Sequence, residues 1–191
     1  MNGRLASWLA AFKAWAAAAK ANPCFRWALA GAAAVAAIDQ ASKYVIVHVV
    51  KLPERFGPCA KNPVEFCRQI PVSPIFDLTF VQNSGASFGM LAGGMVSRVV
   101  LSLVSTAVVA GLVWWLARLR RPVAAAGVAF VIGGALGNLY DRLAYGYVID
   151  FLDFSGLYFP FVFNLADASI DIGIGLLLLD AWRTRPRREG R

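Results

Sequence analysis

Four apolar segments constrain the fold of this chain more than any other feature of its sequence. Each is long enough to cross the apolar layer of a membrane, about 30 Å thick, as an α-helix. Hydrophobic residues make up 59% of the 191 residues and charged residues 16%, which is unusual for a soluble domain. We therefore predict one membrane domain, residues 1–191, with four transmembrane helices. The predicted spans are residues 25–47, 95–116, 122–140 and 165–182.

The segment between the first two spans, residues 48–94, is polar and carries several prolines. Within it, the run FDLTFV at residues 76–81 largely alternates apolar and polar side chains. Such alternation is typical of a β-strand with one buried face. We expect this segment to form a small sheet of short strands outside the membrane.

Arginine and lysine near the ends of the spans predict the orientation of the chain. Cytoplasmic segments of membrane proteins carry an excess of these residues. Here they cluster in the N-terminal segment, between the second and third spans, and in the tail 183–191. Both termini are therefore predicted to be cytoplasmic, with residues 48–94 and 141–164 on the outer side. Topology and anionic membrane lipid explain the net charge of +8 better than nucleic acid does.

The N-terminal segment, residues 1–24, resembles a signal peptide in having an early arginine before apolar residues. Its large apolar side chains, however, recur at helical spacing, and lysines interrupt them. This pattern favours a helix that lies in the membrane interface, and a signal peptide is the alternative. The apolar residues are Leu5, Trp8, Leu9, Phe12 and Trp15, and the lysines are Lys13 and Lys20.

Two of the three cysteines, Cys59 and Cys67, fall in the predicted outer segment. In an oxidising compartment they could form a disulfide that closes a short loop, with two free thiols as the alternative. Cys24 is interpreted as a structural residue.

Two aspartates near the outer ends of the spans are the leading candidates for chemistry. Asp150 lies in the outer segment, and Asp167 is near the start of the fourth span. An ionisable group in a span costs roughly 3 kcal/mol on insertion scales and is a functional candidate by default. If the fold brings the two together, burial and repulsion would raise one pKa, leaving an acid beside a base that can activate water against an amide. The alternatives are an N-cap for Asp167 and a solvated loop position for Asp150.

Other hydrolytic chemistries find little support in the sequence. His48 is the only histidine, and no serine stands in a G-x-S-x-G turn. Zinc ligands at the usual spacing are missing, so no metal or cofactor is expected. An enzyme that uses Mg²⁺ bound by Asp and Asn clusters is left open.

Five motifs in order resemble those of the bacterial lipoprotein signal peptidase family, also called signal peptidase II. They extend from Asp39 to Asp167, most of the chain. The motifs are DQASK at 39–43, VQNSGASF at 81–88, GGALGNLYDR at 133–142, VIDF at 148–151 and FNLAD at 163–167.

This resemblance implies an aspartyl endopeptidase of the bacterial inner membrane, with four transmembrane helices and a small β-cradle on the periplasmic side. Its substrates would be prolipoproteins, cleaved just before a cysteine that already carries diacylglycerol. The cyclic peptide globomycin would inhibit it by occupying the site.

The resemblance also implies roles for individual residues. Asp150 and Asp167 match the catalytic pair. Asn138 lies one helical turn before Arg142, so both could point into one pocket, where the guanidinium could meet a substrate carbonyl or a carboxylate. Residues that would line or order the site are Asp39, Asn83, Gly85, Asn138, Arg142 and Asn164.

Some features depart from the family pattern. The stretch 55–71 makes the first outer segment longer than expected, and Ser84 and Ser87 replace commoner residues. Asp171 follows Asp167 by one turn on the same helix face, where a neutral or hydrogen-bonded role is favoured over catalysis.

Three further acidic residues have simpler interpretations. Asp153 is expected to face water or pair with a loop cation, and Asp180 is expected to pair with Arg183. Asp141 is expected to orient its neighbour Arg142.

Two other classes of function remain open from the residues alone. A small ion-coupled transporter would also hold membrane carboxylates, although internal repeats and broken helices are not found. A noncatalytic membrane assembly factor would tolerate amides at both aspartates. Aromatic residues of the second outer segment, such as Tyr145 and Tyr147, suit an interfacial anchor or a gate.

Overall fold

The computed structural model describes residues 2–59, 66–85 and 94–185. Parts of the 55–71 stretch, of the 81–88 motif and of the basic tail lie outside these residues. The helices are α1 (Asn2–Ala21), α2 (Pro23–Tyr44), α3 (Met95–Leu116), α4 (Pro122–Ala144) and α5 (Leu165–Arg183). The strands are β1 (Phe56–Pro58), β2 (Phe66–Ser73), β3 (Phe76–Asn83), β4 (Val148–Asp153) and β5 (Val162–Phe163). A π-helical turn, Val45–Val49, extends α2, and 3-10 turns lie at Leu52–Glu54 and Ser155–Leu157.

Three helices in the described part of the chain have the length and apolar composition needed to cross a membrane: Pro23–Glu54, Met95–Leu116 and Pro122–Ala144. They correspond to the first three predicted spans. Helix α5 is formed where the fourth span was predicted, but its 19 residues include three aspartates and an arginine. These charges lower its hydropathy, so its crossing of the membrane stays a prediction.

Helix α4 is the centre of the helical bundle, with α2 against one side and α5 against the other. The contact with α5 is close because both helices present a glycine. A Cβ on Gly127 would lie 2.8 Å from the Gly173 carbonyl oxygen, and a Cβ on Gly173 would lie 2.6 Å from the Gly127 carbonyl oxygen. Small residues allow such backbone approach between helices in membranes.

The five strands form one antiparallel sheet in the order β1-β2-β3-β4-β5. Strands β1 to β3 come from the first predicted outer segment, and β4 and β5 from the second. The predicted strand at 76–81 is present and runs to Asn83. The sheet therefore joins both segments at one end of the bundle, and α5 begins shortly after β5.

Helix α1 forms in the N-terminal segment, with Trp8 and Phe12 exposed, and its place in the membrane interface stays a prediction. It contacts the bundle through Trp15, which stacks on Trp114 of α3 with ring centroids 5.5 Å apart. Between α1 and α2, the buried side chain of Asn22 accepts a hydrogen bond from the Cys24 amide. Its own amide donates to carbonyls at the end of α3, at Leu116, Ala117 and Leu119.

The structure pairs Cys59 with Cys67 as a disulfide, with Cα atoms 5.3 Å apart. The bond connects the residue after β1 to β2, within the stretch that departs from the family pattern. Cys24 is a free, half-buried cysteine at the start of α2.

Candidate active site

Asp150 lies in the middle of β4 and is 1% exposed. Each of its carboxylate oxygens accepts a hydrogen bond from a neutral amide. Asn164 Nδ2 donates to Oδ1 at 2.6 Å, and Asn83 Nδ2 donates to Oδ2 at 2.9 Å. The carboxylate is therefore held in one orientation without a cation in direct contact.

Asp167 lies in the first turn of α5, where it completes a capping box with Asn164. The Asp167 amide donates to Asn164 Oδ1 at 3.0 Å, and the Asn164 amide donates to Asp167 Oδ2 at 3.3 Å. The other oxygen, Oδ1, accepts from Asn138 Nδ2 of α4 at 2.7 Å. The N-cap of α5 is therefore Asn164 and not Asp167, which stands at the third helical position of the capping box and points its other oxygen towards α4.

Asn164 connects these two carboxylates, which we call the carboxylate pair. Its side-chain amide donates to Asp150 and also to Asn138 Oδ1 at 3.1 Å, while its backbone amide donates to Asp167. Two aspartates far apart in sequence are therefore hydrogen-bonded to one residue. Both carboxylates therefore lie within hydrogen-bonding distance of Asn164.

The pKa of Asp150 is raised from its usual value to about 6, chiefly by burial and also by the nearby charge of Asp167. The hydrogen bonds from Asn83 and Asn164 and the charge of Lys43 oppose the rise. Amide donors favour the ionised form less than a contacting cation would. Asp150 therefore exchanges its proton near neutral pH, as a group that moves protons must.

A second set of buried charges lies beside the carboxylate pair, and we call it the lysine cluster. Lys43 Nζ lies 2.8 Å from Asp39 Oδ2 and 2.7 Å from Asp141 Oδ2, and all three side chains are at most 2% exposed. The ammonium also donates to Asn138 Oδ1 at 3.3 Å. Asn138 thus contacts both sets of charges.

The carboxylates of the lysine cluster hold the backbone that carries the carboxylate pair. Asp39 Oδ1 accepts from the Ala166 amide at 2.9 Å, which fixes the first turn of α5. Asp141 Oδ2 accepts from the Ile149 amide at 3.1 Å, next to Asp150 in β4. Sequence reasoning singled out Asp39 and Asp141 but missed Lys43. The spacing of Asp39 and Lys43, four residues apart in an apolar span, is the signal that could have found it.

Arg142 lies beside the pair without forming an ion pair with any described carboxylate. Its Nη1 donates to the Asn138 carbonyl at 3.4 Å, and it interacts electrostatically with Asp167, Asp141 and Asp150. Most of its donors are not used by these contacts, so they can meet a substrate group.

Gly85 follows β3 with φ of +80°, a conformation that L side chains rarely adopt. Its amide donates to Asn83 Oδ1 at 2.9 Å. This bond orients the Asn83 side chain so that its NH₂ group faces Asp150. The glycine is required for that turn, because a Cβ would also lie 3.0 Å from Ser97 Oγ.

Comparison with known proteins agrees with this geometry. A family model described as Signal peptidase (SPase) II matches residues 31–183, which include the carboxylate pair and the lysine cluster. The chain belongs to the signal peptidase II family. Its relatives include a lipoprotein signal peptidase of Caulobacter vibrioides, 42% identical over 156 residues, or 81% of this chain and 86% of that protein. One of Brevibacillus brevis is 40% identical over 159 residues, covering 82% and 95%.

Solved structures show the same fold. One is a bacterial membrane enzyme determined by the in meso method at 2.3 Å resolution. It is 24% identical to this chain with a TM-score of 0.68, and the match covers 87% of this chain and 94% of that chain. A second, at 1.9 Å, has a TM-score of 0.67 and 25% identity, covering 84% and 96%. The signal peptidase II assignment and the membrane character predicted from sequence are therefore confirmed.

Three other aspartates have simpler surroundings. Asp171 is exposed on α5, with no hydrogen bond to any described residue, and a neutral role for it stays a prediction. Asp153 is buried and accepts from the Thr79 hydroxyl at 2.7 Å, so it does not face water, while its pairing with a loop cation stays a prediction. Asp180 pairs with Arg121 at 2.7 Å and not with Arg183, because the start of α4 lies beside the end of α5.

No group of three or more His, Cys, Asp or Glu side chains converges as metal ligands within the described ranges. The carboxylate pair is surrounded by amides, which do not supply the additional anionic oxygens common in divalent-cation sites.

Proposed function

We propose that this chain is an aspartyl endopeptidase that removes signal peptides from diacylglyceryl-modified prolipoproteins, with Asp150 and Asp167 as its catalytic pair. Membership of the signal peptidase II family supports the reaction and the substrate class. The observation that carries the residue assignment is that both carboxylates, from β4 and from α5, are hydrogen-bonded to Asn164.

The pair acts with one proton between two carboxyl groups. The ionised carboxylate accepts a proton from water as the water oxygen attacks the peptide carbonyl, and the protonated carboxyl donates its proton to the carbonyl oxygen. The C–N bond then breaks as a proton passes to the leaving nitrogen. The raised pKa of Asp150, about 6, makes it the group that loses and regains its proton near neutral pH.

The surrounding residues have positioning roles in this proposal. Asn83, Asn138 and Asn164 hold the two carboxylates through their amides. Asp39 fixes the first turn of α5. Arg142 offers its remaining donors to a substrate carbonyl.

We place the carboxylate pair at the periplasmic side of the bacterial inner membrane, with both termini in the cytoplasm and α5 as the fourth span. The arginines between α3 and α4 and after α5 support this orientation, since such residues are retained in the cytoplasm. A substrate anchored by diacylglycerol would reach the pair from the bilayer. Globomycin would compete for the same place.

Asparagine variants test the catalytic assignment. Asp150→Asn and Asp167→Asn should each reduce cleavage of a purified diacylglyceryl-modified prolipoprotein below detection, while thermal unfolding shows that both proteins remain folded. Asp171→Asn is the matched control, because it removes an exposed carboxylate from the same helix. Retained cleavage in either variant of the pair would refute the assignment. Globomycin should block the wild type and the control equally.

A further inference from the structure

A cavity of about 690 Å³ lies outside the carboxylate pair. It is bounded by the end of α2 and its π-helical turn, by the end of α4, and by β2, β3 and β4. Neither Asp150 nor Asp167 lines it. The peptidase reaction proposed above therefore gives this cavity no role.

Most of the cavity wall is aromatic or apolar. Tyr44 and Val47 come from the first span and its extension, Tyr140 from α4, and Phe80 from the sheet. Such a wall can hold hydrocarbon, and tyrosines are common where a membrane protein meets the lipid headgroups. Tyr44 and Tyr140 are 62% and 53% exposed, so the wall continues onto the outer surface of the bundle.

The charged residues that line the cavity are cations. Lys43 is one, but its ammonium is already matched by the carboxylates of Asp39 and Asp141. Arg68 is the other, and it is exposed with no ion pair to any described residue. His48 adds an imidazole whose ring lies 4.7 Å from that of Tyr44 in a tilted contact. None of the described residues that line the cavity is Asp or Glu. The unmatched charge among them is therefore positive.

Arg68 is held by the part of the chain that departs from the family pattern. It lies in β2, opposite Phe56 of β1, and next to Cys67 of the disulfide. The hairpin of β1 and β2 thus places an arginine over the ends of two membrane helices. A guanidinium at this level can bind a phosphate through two parallel hydrogen bonds.

We infer that this cavity binds one anionic phospholipid, with its phosphate on Arg68 and its acyl chains along Tyr44, Val47 and Tyr140. The combination of an unmatched cation, an aromatic wall and a position at the ends of α2 and α4 fits this occupant. A zwitterionic phospholipid carries a compensating ammonium and gains less from Arg68. A soluble phosphate would leave the apolar wall unused.

Lipid binding to the full-length protein tests the inference directly. Purified protein in detergent is titrated with phosphatidylglycerol or phosphatidylcholine, and native mass spectrometry counts the lipid that remains bound. The wild type should retain one phosphatidylglycerol and little phosphatidylcholine. Arg68→Gln should weaken phosphatidylglycerol binding about tenfold, as expected for the loss of a charge-assisted hydrogen bond.

Arg55→Gln is the matched control, since it neutralises an exposed arginine in the same stretch that does not line the cavity. It should bind phosphatidylglycerol like the wild type. Equal retention of the two lipids, no effect of Arg68→Gln, or an equal loss in Arg55→Gln would each overturn the inference. The titration is repeated in Asp150→Asn, where binding should be unchanged. Displacement of the lipid by a prolipoprotein would instead assign the cavity to the substrate and refute the proposal.

Discussion

The carboxylate pair and the lysine cluster each bring two aspartates together, yet they are neutralised differently. Asp39, Asp141 and Asp150 are buried, whereas Asp167 is half-buried. In the lysine cluster, one ammonium contacts both carboxylates directly. In the carboxylate pair, the contacts come from asparagine amides and backbone amides. A contacting cation offsets the cost of a buried charge, whereas amides offset only part of it. The aspartates of the lysine cluster therefore stabilise the fold, whereas the carboxylate pair is suited to exchanging a proton.

The largest effect is expected from removing the cation of the lysine cluster. Lys43→Met leaves Asp39 and Asp141 buried without a counter-ion and should lower the free energy of unfolding by about 3 to 5 kcal/mol. Thermal or denaturant unfolding in detergent measures this. Lys13→Met, on the exposed face of α1, is the control and should leave stability unchanged. A Lys43→Met protein as stable as the wild type would show that the ammonium does not offset the buried charges of Asp39 and Asp141.

A smaller effect is expected at Asn138, which contacts both the carboxylate pair and the lysine cluster. Asn138→Ala removes the donor to Asp167 and should lower kcat about 100-fold, because a misplaced catalytic group loses the reactive geometry. Steady-state cleavage assays measure this.

Asn22→Ala provides the comparison for Asn138→Ala. It removes a buried amide that donates to the end of α3, so it should cost stability while kcat stays near the wild-type value. If both variants lower kcat alike, the role of Asn138 is general stability and not positioning.

A shift in pH dependence is the next effect in size. Because the pKa of Asp150 is raised to about 6, kcat/KM should fall as pH rises through this value and the pair loses its proton. Asn83 donates to the ionised form of Asp150, so Asn83→Ala should raise this pKa further and move the fall to higher pH by roughly one unit. Thr79→Val, which instead affects Asp153, should leave the profile in place. Movement to lower pH would contradict the assignment.

The smallest effect concerns another buried aspartate, at the opposite end of α5 from Asp167. Asp180 pairs with Arg121, whose side chain is 47% exposed. Arg121→Gln should cost under about 1 kcal/mol of stability, because water screens such a pair, and should leave cleavage unchanged. Thermal unfolding and the cleavage assay measure both. A loss of stability as large as that of Lys43→Met would show that burial of the cation does not decide how much such an ion pair stabilises the protein.

Much of the fold could be predicted because apolar length and alternation are local properties of sequence. The limits of α3 agree with the predicted span, and the strand that begins at Phe76 was found from its alternation. The pairing of β3 with β4 could not be found in this way, since it depends on contacts between residues about 70 positions apart. The predicted pairing of Asp180 with Arg183 was wrong for the same reason, since the actual partner, Arg121, comes from another helix end.

Asp150 and Asp167 were first singled out as ionisable groups near the outer ends of apolar spans, and motif resemblance then added the other residues of the site. Asp150 and Asp167 lie in short matching blocks, and the structure brings their carboxylates to Asn164. The roles of Asn22 and Lys43 were missed because a buried polar residue is recognised only when its partners are known. Asn22 donates to carbonyls more than 90 positions away, which no local pattern indicates.

Asn164 both caps a helix and touches each member of the carboxylate pair. The spacing of the two acids is consequently set by the first turn of α5. A single insertion between residues 163 and 167 would therefore misalign both acids at once.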